Sequence, residues 1–151
     1  MKIFIAGIMQ GSIKGHGIQE QDYRHQIREA VKVLHPKAEI IDPFLLFPDS
    51  VSYDDNQARQ VLFEMAAEAG SADILFAYLP KASMGTALEM IRAYDNGKPI
   101  ISISPMEANW FIRAVSVKIF ATLDEFLKWV RQTHLEKLLD PLKSKETSPK
   151  G

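Results

Sequence analysis

No cysteine occurs among the 151 residues, which removes disulfides, thiolate nucleophiles and cysteine-ligated metals from the possible chemistry. That absence suits a reducing compartment, and a cytoplasmic location is the expectation. Also missing is any apolar run near the roughly 20 residues of a membrane-spanning helix. The opening MKIFIAGIMQGS has a lysine and a short apolar stretch, but it alternates like a strand and lacks a small-residue cleavage site, so it reads as a first strand rather than a signal peptide. Charge of one sign is lacking as well. With 18 Lys and Arg against 19 Asp and Glu, the net charge of -1 offers no field for a nucleic-acid polymer. The four histidines, 16, 25, 35 and 134, show no paired metal-ligand spacing, so no metal is expected.

What is present is the composition of a globular protein, 46% hydrophobic and 25% charged, in a chain long enough for one core. One domain over 1–142 is expected, followed by a polar, frayed tail over 143–151. Isoleucine-, valine- and phenylalanine-rich runs alternate with longer amphipathic stretches. The runs KIFIAGI, AEIID, DILFAYL, PIISIS and KIFAT read as strands. Helices are expected over about 19–34, 54–69, 84–96 and 108–115, with a last one from Leu123. Pro36, Gly70 and the Gly97–Pro99 pair mark the ends of the first three. This alternation predicts an α/β fold: a doubly wound, five-stranded parallel sheet, flavodoxin-like or Rossmann-like.

Ligands of such sheets bind beyond the carboxyl ends of the strands, which directs attention to the segments that follow them. The first, GIMQGSIKGHG, has glycines at 7, 11, 15 and 17, so its backbone can approach a ligand; it matches neither a Walker loop nor G-x-G-x-x-G. A plain strand-to-helix connection is the alternative. The third, YLPKASMGTALEM, opens a helix carrying Glu89 in its second turn. Helical spacing puts Met84, Ala87, Leu88, Ile91 and Tyr94 on one apolar face, with Gly85, Glu89, Arg92 and Asn96 opposite. Glu89 then reads either as a solvated partner of Arg92 or as an acid at a site, and Ser83 as a helix cap or a ligand contact.

KIFIAGIMQGS, SADILFAYLPKASMGTALEMIRAYDNGKPIISI and NWFIRA together resemble the nucleoside 2-deoxyribosyltransferase superfamily, including its deoxynucleotide N-glycosidase branch, over most of residues 2–115. The strongest element is the frame in which S-x-G is followed by a glutamate and then by GKP. The resemblance implies that Glu89 is a nucleophile attacking the anomeric carbon of a deoxyribose. It also implies that Gly7, Gln10 and Gly11 line the sugar and 5′ side; Gly85, one turn below the glutamate on the helix, removes bulk there. Ser83 stands where the nucleotide-hydrolysing branch turns a serine toward the 5′-phosphate. Asn109 stands where the family supplies a polar residue from a neighbouring subunit, which implies a homodimer or larger assembly with a shared site. The implied ligand is a small deoxynucleoside or its monophosphate, with no metal or organic cofactor.

Two departures stand out. Met65 occupies the position of the family's second acid, with Glu64 and Glu68 nearby and Asp42, Asp54 and Asp55 as other acids able to protonate the leaving base. Ile8 and Gln10 stand near a serine and an arginine of the glycosidase branch. A non-catalytic nucleotide-binding protein on the same fold is the rival expectation.

Overall fold

The computed structural model describes residues 1–8 and 21–140. Five parallel strands form one sheet: β1 (Lys2–Gly7), β2 (Glu39–Ile41), β3 (Ile74–Tyr78), β4 (Ile100–Ile103) and β5 (Lys118–Phe120), in the order β2-β1-β3-β4-β5. The longer helices are α1 (Asp22–Lys32), α3 (Asp55–Ser71), α4 (Met84–Asp95), α5 (Trp110–Val115) and α6 (Leu123–Val130), and α2 (Pro43–Leu46) is a single turn. This is the expected doubly wound α/β fold, with flavodoxin-like strand order.

Side-chain alternation along the strands splits the core into two layers. From β1, Ile3 and Ile5 join Ile27, Val31, Phe76 and Phe126 on the side covered by α1 and α6. Phe4 and Ala6 join Leu75, Ala77, Met90 and Ile112 on the side of α3, α4 and α5. Strands covered on both faces read as continuous apolar runs, and that is why the sequence marks them clearly.

The chain order reverses between β1 and β3, where Gly7 pairs with Tyr78. Helices leaving this point diverge, so a crevice opens above these two strand ends.

Two expectations need correction, and three short elements were not foreseen. Gly70 does not end the second long helix: α3 continues through it to Ser71. A Cβ there would lie 2.7 Å from Asn96 Nδ2, which donates to the Gly70 carbonyl at 2.8 Å, so this glycine lets α3 and α4 approach closely. α2 and the 3₁₀ turns at Ser50–Ser52 and Leu135–Leu139 are too short to leave a periodic signal. The apolar face read for α4 is the wrong one. The helix buries Thr86, Met90 and Ala93, whereas Met84 is 92% exposed and Ile91 and Tyr94 also face out. Small residues and an unbranched methionine fit the close contact with the sheet, so the second apolar stripe is left uncovered in the monomer.

Candidate active site

β3 ends at Tyr78, and Ser83 then caps α4 by accepting a hydrogen bond from Thr86 N at 3.3 Å. One turn on, Glu89 points back over the sheet's switch point and lines a pocket of about 300 Å³. Gly7, Ser83, Gly85 and Thr86 share that lining, and Phe47, Tyr53 and Met65 come from across the crevice. A Cβ on Gly85 would meet nothing within 4 Å, so glycine here keeps the pocket open rather than relieving a clash.

The surroundings of Glu89 are poor in solvent and organised by a polar cluster that periodicity did not reveal. Arg24, on the first turn of α1, is 1% exposed. It donates from Nη1 to the Ile5 carbonyl at 3.1 Å, from Nη2 to the Gly7 carbonyl at 3.0 Å, and from Nε to Gln21 Oε1 at 2.7 Å. Asp42 neutralises it through Oδ1 at 3.1 Å and binds Arg28 through its other oxygen. Tyr23 stacks on Tyr78 with centroids 4.2 Å apart, and its hydroxyl sits where a Cβ on Gly7 would lie, 2.1 Å away. Gly7 is therefore required by Tyr23 as well as lining the pocket.

Burial pushes the Glu89 carboxyl up to a pKa of about 8, with the Arg24 guanidinium pulling the other way. The Tyr23 phenol is raised well above its ordinary value, first by burial and then by Asp42, Glu89 and Tyr78, while Arg24 lowers it. Glu89 is thus no solvated partner of Arg92: among the described salt bridges none joins the two.

The other sequence-predicted residues divide. Gly7, Ser83, Gly85 and Glu89 come together around one pocket. Asp42 does not join them. Its carboxylate is buried between two arginines, accepts from Phe44 N at 3.1 Å to cap α2, and lines an adjoining cavity. Asp54 and Asp55 are exposed, and Asp54 is committed to a capping box with Gln57 at the start of α3. Asn109 caps α5, accepting from Phe111 N at 3.0 Å and Ile112 N at 3.2 Å. It lines a second pocket of about 390 Å³ that shares Ser83 and Met84 with the first. Gln10 and Gly11 lie outside the described residues, as do the other glycine-loop positions from 9 to 17.

Tyr23, Arg24, Tyr78 and Thr86 were missed. For the first two a signal existed, since Tyr23, Arg24, Ile27 and Val31 follow helical spacing along one buried stripe of α1. A charged residue on such a stripe needs a buried partner.

No family model matches the sequence, and no curated protein matches it. Solved structures do. A 2-deoxyribosyltransferase from Bacillus psychrosaccharolyticus is similar with a TM-score of 0.64 and 21% identity, over 91% of this chain and 96% of that one. A conserved protein from Enterococcus faecalis V583 is similar with a TM-score of 0.57 and 16% identity, over 87% and 98%. A strand order of β2-β1-β3-β4-β5, a crevice at the β1/β3 switch point and a likeness spanning nearly the whole of both chains lead to one conclusion: this chain has the fold of a 2-deoxyribosyltransferase.

Proposed function

We propose that the protein cleaves or transfers the N-glycosidic bond of a 2′-deoxynucleoside or its 5′-monophosphate, with Glu89 as nucleophile. The observation that supports this most is the Glu89 carboxyl lining a pocket at the switch point. The volume of about 300 Å³ is at the small-molecule end of the usual range. In the proposed reaction a Glu89 oxygen attacks C1′, the bond to the base breaks, and a glycosyl ester forms. Water or a second base then resolves it at the same carbon. No metal or organic cofactor enters these steps.

The pocket's polarity supports the same assignment. A carboxylate attacking carbon works best when little water competes for its charge, and the burial that raises the Glu89 pKa provides that setting. Incubating the protein with a panel of deoxynucleosides and deoxynucleotides, followed by chromatography, is expected to show free base. No base released from any member of the panel would refute the proposal.

Ser83 is placed in this reading beside the 5′ group, at the amino-terminal end of α4, where the helix dipole favours an anion. Ser83→Ala is expected to reduce kcat/KM for a monophosphate by about tenfold relative to the matching nucleoside, the value of one charge-assisted hydrogen bond. Equal losses for both substrates would assign Ser83 to capping alone.

A homo-oligomer with a shared site belongs to the same proposal. It is supported by the uncovered stripe of α4 and by Trp110, 86% exposed beside Asn109. Mixing Glu89→Gln chains with Asn109→Ala chains is expected to recover part of the activity that each variant lacks, since some hybrid sites hold both intact residues. Failure to recover despite demonstrated subunit exchange would remove the shared site.

A further inference from the structure

Glu89 is the one carboxyl among the described residues lining its pocket. The wall across from it is aromatic and apolar: Phe47, Tyr53, Val61 and Met65. Met65 is buried and its thioether has no proton to give. A neutral nucleobase is a poor leaving group unless a ring nitrogen is protonated as the bond breaks, a task that general acids accelerate by roughly 10²–10⁴. This wall has no carboxyl or imidazole to perform it.

The same wall suits a different base. Aromatic faces attract cations, and Phe47 and Tyr53 offer two of them on this wall. Three arginines among the described residues are engaged elsewhere. Arg24 and Arg28 are tied to Asp42, and Arg59 donates to Asn56 Oδ1 at 3.2 Å. A further feature marks the cavity as built for a polar ligand. Thr86 Oγ1, on a residue only 2% exposed, lines the pocket with no hydrogen-bond partner among the described residues, so a ligand hydroxyl beside Glu89 would satisfy it.

Building on the glycosidic reading above, we propose that the pocket is specific for N-glycosides whose base is already cationic, a quaternised nitrogen heterocycle such as an N7-alkylated purine, and releases that base neutral with no proton from the described lining. The electrons balance without a proton. The Glu89 oxygen bonds to C1′, the C1′–N bond breaks, and its electron pair returns to the ring nitrogen, cancelling the positive charge. Water then adds at C1′, Glu89 leaves as a carboxylate, and the water's proton passes to solvent.

The test compares 2′-deoxyguanosine with its N7-methyl derivative, each kcat/KM divided by the uncatalysed rate constant to remove intrinsic lability. Wild-type protein is expected to accelerate the N7-methyl compound about 100-fold more than the neutral one. Met65→Asp, which restores an acid, is expected to raise the neutral substrate about 100-fold and change the cationic one less than about threefold. Tyr53→Leu, which removes the aromatic ring, is expected to raise KM about threefold or more for the cationic substrate alone. Equal acceleration of both substrates by wild-type protein, with cleavage dependent on Glu89, would overturn this inference and leave the glycosidic reading standing. No release from either compound would overturn this inference alone, and release that does not depend on Glu89 would overturn both.

Discussion

Glu89→Gln is expected to lower the rate of glycosidic cleavage by at least about 10³-fold, because the amide preserves the side chain's shape but carries no anionic oxygen to attack C1′. In the same variant the fold is expected to gain stability. The Glu89 carboxyl is raised from its ordinary 4.5 to about 8, so between those values the folded chain holds a proton that the unfolded chain has lost. Stability therefore falls as pH rises across that window, and the full penalty is present above pH 8. Glutamine escapes it. A gain on the order of 2 kcal/mol at pH 8, vanishing near pH 4, is expected in urea unfolding once the partial exposure of Glu89 is allowed for. The wild-type rate should rise with pH toward about 8 as the nucleophile ionises. A variant that retains most of the wild-type rate, or a rate that falls over this range, would contradict the nucleophile assignment.

Asp42→Ala is the second large effect, and here the loss is in folding. Removing this carboxylate leaves Arg24 and Arg28 without their common partner, and breaking a buried pair from one side costs about 3–5 kcal/mol. The midpoint of urea unfolding is expected to drop accordingly. Under conditions where the variant remains folded, cleavage should persist, because Asp42 lines the adjoining cavity and not the Glu89 pocket. Its pH profile should move to lower pH, since an Arg24 guanidinium freed of Asp42 acts more strongly on Glu89. A folded but inactive Asp42→Ala protein would instead give Asp42 the leaving-group acid's role. The two variants thus separate chemistry at the crevice from the ionic cluster that shapes its floor.

The class of fold was legible before any coordinate because its strands are covered on both faces, so KIFIAG, ILFAY and IISI stand out as apolar runs between helical segments. The approximate place of the candidate site was legible for a related reason: ligands in this topology lie beyond the strands' carboxyl ends, and Glu89 follows one of them in sequence. A local signal located Ser83 as a helix cap, and the same signal, a short polar residue just ahead of a helix, stands at Asn109.

Other features depended on contacts between segments far apart in the chain. Which of two stripes on α4 meets the sheet was decided by fit: Thr86, Met90 and Ala93 pack against it, although Met84, Ile91 and Tyr94 are the more apolar set. Periodicity measures polarity along one helix and knows nothing of the space opposite. Asp42 looked like a free acid beside a ligand because its partners, Arg24 and Arg28, lie 18 and 14 residues earlier. What the sequence alone determined was the alternation of elements and the carboxylate presented after β3. What only the tertiary structure decided was the setting of that carboxylate, because the burial that turns an ordinary glutamate into one with a pKa of about 8, against the opposing pull of Arg24, arises when α1, β1 and α4 meet.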